Sequence, residues 1–275
     1  MNELQRVEFE MLKELVHICD ELGLTYYLVC GSALGAVKYK GFIPWDDDLD
    51  VALPRKDYEV FIKKAQAMLP DHIFLQNYET DPYFPYIFSK LRNCNTTFIE
   101  KSCQNILMNH GVYIDVFPLD GYPSDKFESQ IFERKKRKLT LKINSAFCLQ
   151  GISLKAKLFY AFERILGMHK KTGKYISLLS KMYSEYPTVG SKLICNHGNW
   201  QGSLEYAATD QYGKGVIAEF EGLNVRIPEK FDEYLTQKYG DWRVDPPESE
   251  QTGHHYCLVC DLNQPYTEYV TIKNY

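Results

Sequence analysis

Four carboxylates fall within five positions at Asp46-Asp47-Asp48-Leu49-Asp50, and the chain runs from them straight into Val51-Ala52-Leu53. Strand side chains alternate between faces, so Leu49, Val51 and Leu53 share the core side while Asp48 and Asp50 project together from the other. Carboxylates packed this closely repel one another, and partial burial without a partner is costly. A hard divalent cation, Mg2+ or Mn2+, resolves that conflict because oxygen donors are what it prefers. A solvated acidic turn suits Asp46 and Asp47 but does not explain the alternation into an apolar strand. A calcium loop is excluded, since its sixth position, counted from Asp46, is Val51 where glycine is required.

A third carboxylate interrupts the apolar run Val112-Tyr-Ile-Asp-Val-Phe117. An Asp in such a run must be paired, protonated or metal-bound. A neighbouring strand would set Asp115 beside Asp48 and Asp50, and three carboxylates suit two metal ions that clamp a phosphoryl group. Upstream, Gly31-Ser32 closes a short strand over 26–30 and opens a helix through Val37; backbone amides at such a turn favour phosphate. Lys90 and Arg92 share one face of a predicted strand and are candidates to neutralise donor phosphates, as is Lys38, although a solvated lysine is the default at that position.

The remaining pattern predicts an α/β (α+β) fold, a mixed sheet flanked by helices. Leu4, Val7, Met11, Leu15, Ile18 and Leu22 mark a helix over 3–22 ending at Gly23. A strand over 48–53 precedes a helix opened by Pro54, and further strands are expected at 72–76, 86–92 and 111–117. From about 124 to 184 the chain turns helical and basic. The division expected is a catalytic core over 1–123, a basic helical insertion over 124–184, and a C-terminal part over 185–275 that completes the core, with a helix starting near Ile227-Pro228. The net charge of −4 argues against nucleic acid as partner. Eight cysteines lack framework spacing, no secretion signal precedes them, and no apolar run is long enough to span a bilayer, which together point to a cytoplasmic protein.

Gly31-Ser-Ala-Leu-Gly-Ala-Val-Lys38, Gly41-Phe-Ile-Pro-Trp-Asp-Asp-Asp-Leu-Asp50, Ile114-Asp-Val-Phe-Pro-Leu-Asp120, Phe220-Glu-Gly222, Tyr239-Gly-Asp-Trp242, Pro246-Pro247 and His254-His255 together resemble the LicD family of the nucleotidyltransferase superfamily. The resemblance implies transfer of phosphocholine, or a related glycerol or ribitol phosphate, from a CDP-linked donor to a hydroxyl of a surface glycan such as teichoic acid, lipopolysaccharide or capsule. It makes Asp48 and Asp50 metal ligands, Asp115 the third ligand or the base, and Gly31 and Ser32 holders of the donor diphosphate. Trp45, Asp47, Asp120, His254 and His255 become further substrate contacts. The family's basic pair before the two histidines is replaced here by Glu250-Gln251.

A nucleotidyltransferase attacking the α-phosphorus of a nucleoside triphosphate would use the same metal clamp, so the three carboxylates alone do not separate the two reactions. A glycosyltransferase with an Asp-x-Asp motif would need a longer nucleotide-binding unit before it. A pseudoenzyme that keeps the fold is the non-catalytic alternative. Cys257-Leu-Val-Cys260 lacks a second pair at finger spacing and is a weak zinc signal. The run Arg134–Lys138 is a solvated helix face or, with lipid-linked acceptors in view, a contact with the membrane's inner surface.

Overall fold

Helix α1 (Glu3–Leu22) opens on a capping box, in which Asn2 and Gln5 exchange side-chain-to-backbone bonds, and closes on Gly23 at φ 64°, a left-handed conformation that glycine takes without Cβ strain. Its Met11, Leu12, Leu15 and Ile18 are fully buried against the sheet. The protein is described from a computed structural model over residues 1–144, 158, 161, 162, 165, 167, 171–198, 205–253 and 255–269.

A seven-stranded mixed sheet carries the rest of the core. Its main path runs β1 (Tyr27–Leu28), β2 (Asp50–Pro54), β6 (Val112–Gly121), β4 (Ser89–Asn93), β3 (Ile73–Gln76). Strand β6 is the spine: parallel to β2 along one edge, antiparallel to β4 and then to β7 (Leu193–Asn196) along the other. β8 (Tyr206–Ala208) extends the sheet beyond β7. β6 is ten residues long and buried throughout, and ends four residues beyond the predicted end. Pro118 does not stop it because its missing N–H falls where the edge passes from β4, which pairs through Val116, to β7, which pairs from Leu119.

Helix α2 spans Cys30–Lys38, so Gly31-Ser32 lie in its first turn and not in a strand-to-helix loop. Tertiary bonds set that start: the Cys30 N–H donates to Tyr234 Oη (3.0 Å), and Ser32 Oγ accepts from the Asp50 N–H (2.8 Å). Cys30 takes a left-handed φ of 52°, a costly conformation for a residue with a side chain. Helix α3 (Arg55–Lys64) follows β2 directly. Helices α4 (Lys126–Ile143) and α5 (Thr172–Ser184) pack together around Phe132, Ile143, Ile176, Leu179 and Tyr183, an apolar cluster separate from the main core.

Two small additions brace the acidic stretch. The hairpin β9 (Val216–Phe220) and β10 (Leu223–Ile227) turns on Glu221-Gly222, both at positive φ. Glu221 donates its N–H to Lys40 O (2.7 Å) and accepts from the Phe42 N–H (3.3 Å), which fixes the chain just ahead of Asp46. Helix α6 (Phe231–Tyr239) then covers α2; it starts at Phe231, later than Ile227-Pro228 suggests, because Ile227 completes the hairpin ladder. Finally β11 (Cys257–Asp261) pairs with β5 (Thr97–Glu100) and delivers the preceding His255 to the sheet. The Cys257–Cys260 segment is thus an edge strand. Among the described residues no helix is long and apolar enough to cross a membrane.

Candidate active site

The parallel register of β2 and β6 sets Asp50 directly opposite Asp115, as the alternation argument requires. Strand geometry begins at Asp50; Asp48 stands just before it, and the ladder reaches back only to Leu49, whose carbonyl accepts from the Asp115 N–H (2.8 Å). These carboxylates line a cavity of about 420 Å3, together with Asp46 and Glu100. Its positive charges are Lys90, with Nζ 2.8 Å from Asp115 Oδ1, and His255. Aromatic rings of Trp45, Tyr86, Phe88, Phe117 and Tyr239 supply much of the remaining wall.

Acidic groups outnumber the cations, and their protonation responds. Burial first, then the charges of Asp48 and Asp115, push the Asp50 carboxyl well above the usual carboxylate range. Burial and Asp48 push Asp46 up to about 8. Burial also raises Asp115, although Lys90 pulls against it. Glu100 goes the other way: burial would raise it, but Lys90, His255 and Arg92 hold it below its ordinary value. His255, which burial alone would lower, is raised to about 9 by its bond to Asp47 and by Asp48. Its Nδ1 lies 3.1 Å from Asp47 Oδ1 and its Nε2 3.9 Å from Asp48 Oδ2. Asp47, Asp48 and His255 each bring one ligand atom to within 4.8 Å of the others. Carboxylate oxygens crowded on one wall fit a hard divalent cation, so Asp48, Asp50 and Asp115 could bind one, with Asp47 and His255 beside them.

The two shifts act in the same direction on metal-free stability. Asp46, raised from 3.8 to about 8, lowers the stability of the fold increasingly as pH rises through that interval, because the unfolded chain releases a proton that the folded state still holds. His255, raised from 6.5 to about 9, stabilises the fold below 6.5 and loses that contribution as pH rises through 9. The melting temperature without metal is therefore expected to fall from pH 6 to pH 9. Added Mg2+ or Mn2+ should raise it most at the alkaline end. Calorimetry at both pH values checks this, and a metal-free melting curve flat over that range would contradict it.

Several expected residues do other work. Gly31 lines the cavity, but the space its missing Cβ leaves is taken by Asp46, whose Oδ2 would stand 2.6 Å from a side chain there. Ser32 anchors the first residue of β2, as above. Lys38 is tied to Asp245 (2.5 Å) and to the Trp242 carbonyl, away from the cavity. Arg92 shares the face of Lys90 yet lies deeper: fully buried, it donates to Gln76 Oε1 (2.8 Å) and Gly111 O (2.6 Å), so it is a structural group and not a donor contact. Asp120 likewise does not meet the cavity; it is fully buried in a bidentate pair with Arg55. Trp45 and His255 line the cavity, and Asp47 holds His255. His254 lies outside the described residues. Sequence reasoning missed Asp46, Glu100 and the aromatic wall, and also Glu8 of α1, a buried acid pushed up by burial and by Asp48, Asp46 and Asp47. Asp46 was findable, standing two positions before Asp48; Glu100 reaches the site only through the pairing of β5 with β11, which no local pattern announces.

Residues 23–154 match the family described as LicD/FKTN/FKRP, nucleotidyltransferase domain. A lipopolysaccharide cholinephosphotransferase, LicD, of Haemophilus influenzae is 28% identical over 263 residues, which are 93% of this chain and 96% of that protein. An uncharacterised protein of Rickettsia prowazekii is 27% identical over 136 residues, 47% of this chain and 46% of its own. Another, of Rickettsia typhi, is 28% identical over 131 residues, 47% of this chain and 38% of its own.

Proposed function

We propose, from the match of residues 23–154 to the LicD family, that the chain transfers phosphocholine from CDP-choline to a hydroxyl of a lipopolysaccharide or related surface glycan. The observation that carries the reading is the placement of Asp50 opposite Asp115, with Asp48 beside them, on the wall of a cavity. The Haemophilus relative, named for phosphocholine transfer and matched along 93% of the chain, supports the choice of group. So does the wall itself, because a quaternary ammonium binds aromatic faces. Two of these rings already stand near an ammonium: Lys90 Nζ lies 5.2 Å and 5.5 Å from the ring centres of Tyr86 and Phe88, and 3.2 Å from that of Tyr113 behind the wall.

In this reading Asp48, Asp50 and Asp115 hold Mg2+ or Mn2+, which when bound neutralises charge on the donor diphosphate and on the departing phosphate. Lys90 and protonated His255 face the phosphates, and Asp47 keeps the imidazole oriented and charged. The acceptor hydroxyl forms a bond to the phosphorus that carries choline, the bond from that phosphorus to CMP breaks, and CMP leaves with the electron pair. We assign the hydroxyl proton to Asp115, whose carboxyl is made more basic than an ordinary aspartate by burial, against the pull of Lys90. Residues 1–123 and 185–275 make one catalytic unit in this scheme, with 124–184 as an insertion, and the protein works in the cytoplasm.

The test is ³¹P NMR of CDP-choline, CDP-glycerol, CDP-ribitol and CTP, each incubated with protein, Mg2+ and glycan extract. CMP release with CDP-choline alone is the expected result. Release with another CDP-alcohol would keep phospho-alcohol transfer and replace choline. Pyrophosphate from CTP, without CMP from any CDP-alcohol, would make the protein a nucleotidyltransferase.

A further inference from the structure

Helix α4 carries seven basic and two acidic residues in a chain whose net charge is −4. Its buried side, Phe132 and Ile143, packs on α5. The opposite side presents Phe127, Ile131, Arg134, Lys135, Lys138 and Leu141, which the helical repeat gathers into one stripe. Phe127 is 71% exposed, and Ile131 and Leu141 are more than a third exposed. Among the described residues, none of Arg134, Lys135, Arg137 and Lys138 is ion-paired. The two acids are bonded to tyrosines outside the helix: Glu133 accepts from Tyr206 Oη (2.8 Å), and Glu128 accepts from Tyr186 Oη (3.0 Å). Further along, Leu158, Phe162 and Ile165 are all more than half exposed.

We propose that the exposed stripe of α4 docks on an anionic phospholipid surface. Unpaired cations with aromatic and branched aliphatic side chains among them are the composition of a helix lying in a bilayer interface. The cations meet lipid phosphates while Phe127, Ile131 and Leu141 enter the acyl boundary. A soluble polyanion would use only the charges and leave Phe127 in water. The placement is useful for a membrane-borne acceptor, because β6 runs from Asp115 to its end at Gly121, roughly 20 Å, and α4 follows after four residues. The docking surface does not depend on the reaction assigned to the cavity, since it shares no residue with it.

The experiment is co-sedimentation of the full chain with phosphatidylglycerol–phosphatidylcholine vesicles and with phosphatidylcholine vesicles alone. Binding is expected only to the anionic vesicles. It should weaken roughly tenfold or more in Arg134→Glu/Lys138→Glu, since each charge near the surface counts separately. Phe127→Ser/Ile131→Ser should also weaken it, leaving a residue that vanishes in high salt. If the charge-reversed variant melts early, Arg134→Gln/Lys138→Gln takes its place. Failure to bind anionic vesicles would overturn the proposal. So would binding unmoved by either pair of substitutions, or retention by polyphosphate as strong as by vesicles and indifferent to Phe127→Ser/Ile131→Ser. CMP release with a soluble acceptor should be the same in all variants, which separates loss of docking from loss of the proposed reaction.

Discussion

Asp50→Asn is expected to lower turnover by roughly three orders of magnitude or more while the protein stays folded, because a metal clamp contributes several kcal/mol to the transition state. The amide keeps the shape of the carboxyl and removes a charge that the fold accommodates poorly: burial, Asp48 and Asp115 all press Asp50 toward its neutral form. Metal-free Asp50→Asn should therefore melt higher than the wild type at alkaline pH and gain less from added Mg2+. Loss of function with gain of stability is the signature of a strained functional group. Asp115→Asn should lose activity too but melt lower, since Lys90, 2% exposed, would keep its charge without its carboxylate partner. Measuring kcat and melting temperature with and without Mg2+ separates these cases. More than a tenth of wild-type turnover in Asp50→Asn would rule out the assigned role.

Asp120→Ala is expected to destabilise the fold by about 3–5 kcal/mol, the cost of stranding one member of a buried ion pair. Arg55 Nε lies 2.7 Å from Asp120 Oδ1 and Nη2 lies 2.5 Å from Oδ2, a two-pronged geometry at the far end of β2 and β6. Arg55→Met/Asp120→Leu should recover most of the loss, because an apolar pair leaves no charge behind. The two residues stand 65 apart in sequence, and the parallel register holds Asp50 and Asp115 at the same offset. The ion pair thus fastens the alignment that brings the carboxylates together, and a slip of one residue would turn Asp115 to the opposite face. Urea unfolding of the single and double variants measures the effect. A fully stable Asp120→Ala that no longer bound the CDP-alcohol would restore Asp120 to the substrate.

What the sequence made legible was periodic or short-range. Alternation from Leu49 to Leu53 identified the core side of β2, and the isolated Asp115 identified the neighbouring strand that the register confirms. α1 was visible from apolar spacing, with its stop at Gly23. What stayed hidden depends on partners distant in the chain. Arg92 and Lys90 have the same strand phase, and only the burial of Gln76 and Gly111 around one of them shows that it serves the fold. Asp120 was ambiguous because nothing near it in sequence announces Arg55. The first turn of α2 was misplaced since its start is set by Tyr234, a residue 204 positions away.

The parallel pairing of β2 with β6 also governs when the site can exist during folding. Antiparallel neighbours zip from a tight turn, but β6 can join β2 only after the chain has looped through β3, β4 and β5. Contacts so remote in sequence close late and slowly, because the entropy of the loop is lost before the contact returns anything. Until then Asp46–Asp50 is a hydrated acidic loop with no counterpart. A nascent chain shorter than β6 accordingly holds two of the three carboxylates, and the third arrives with the insertion of a single central strand, before Tyr239 and His255 can close the cavity.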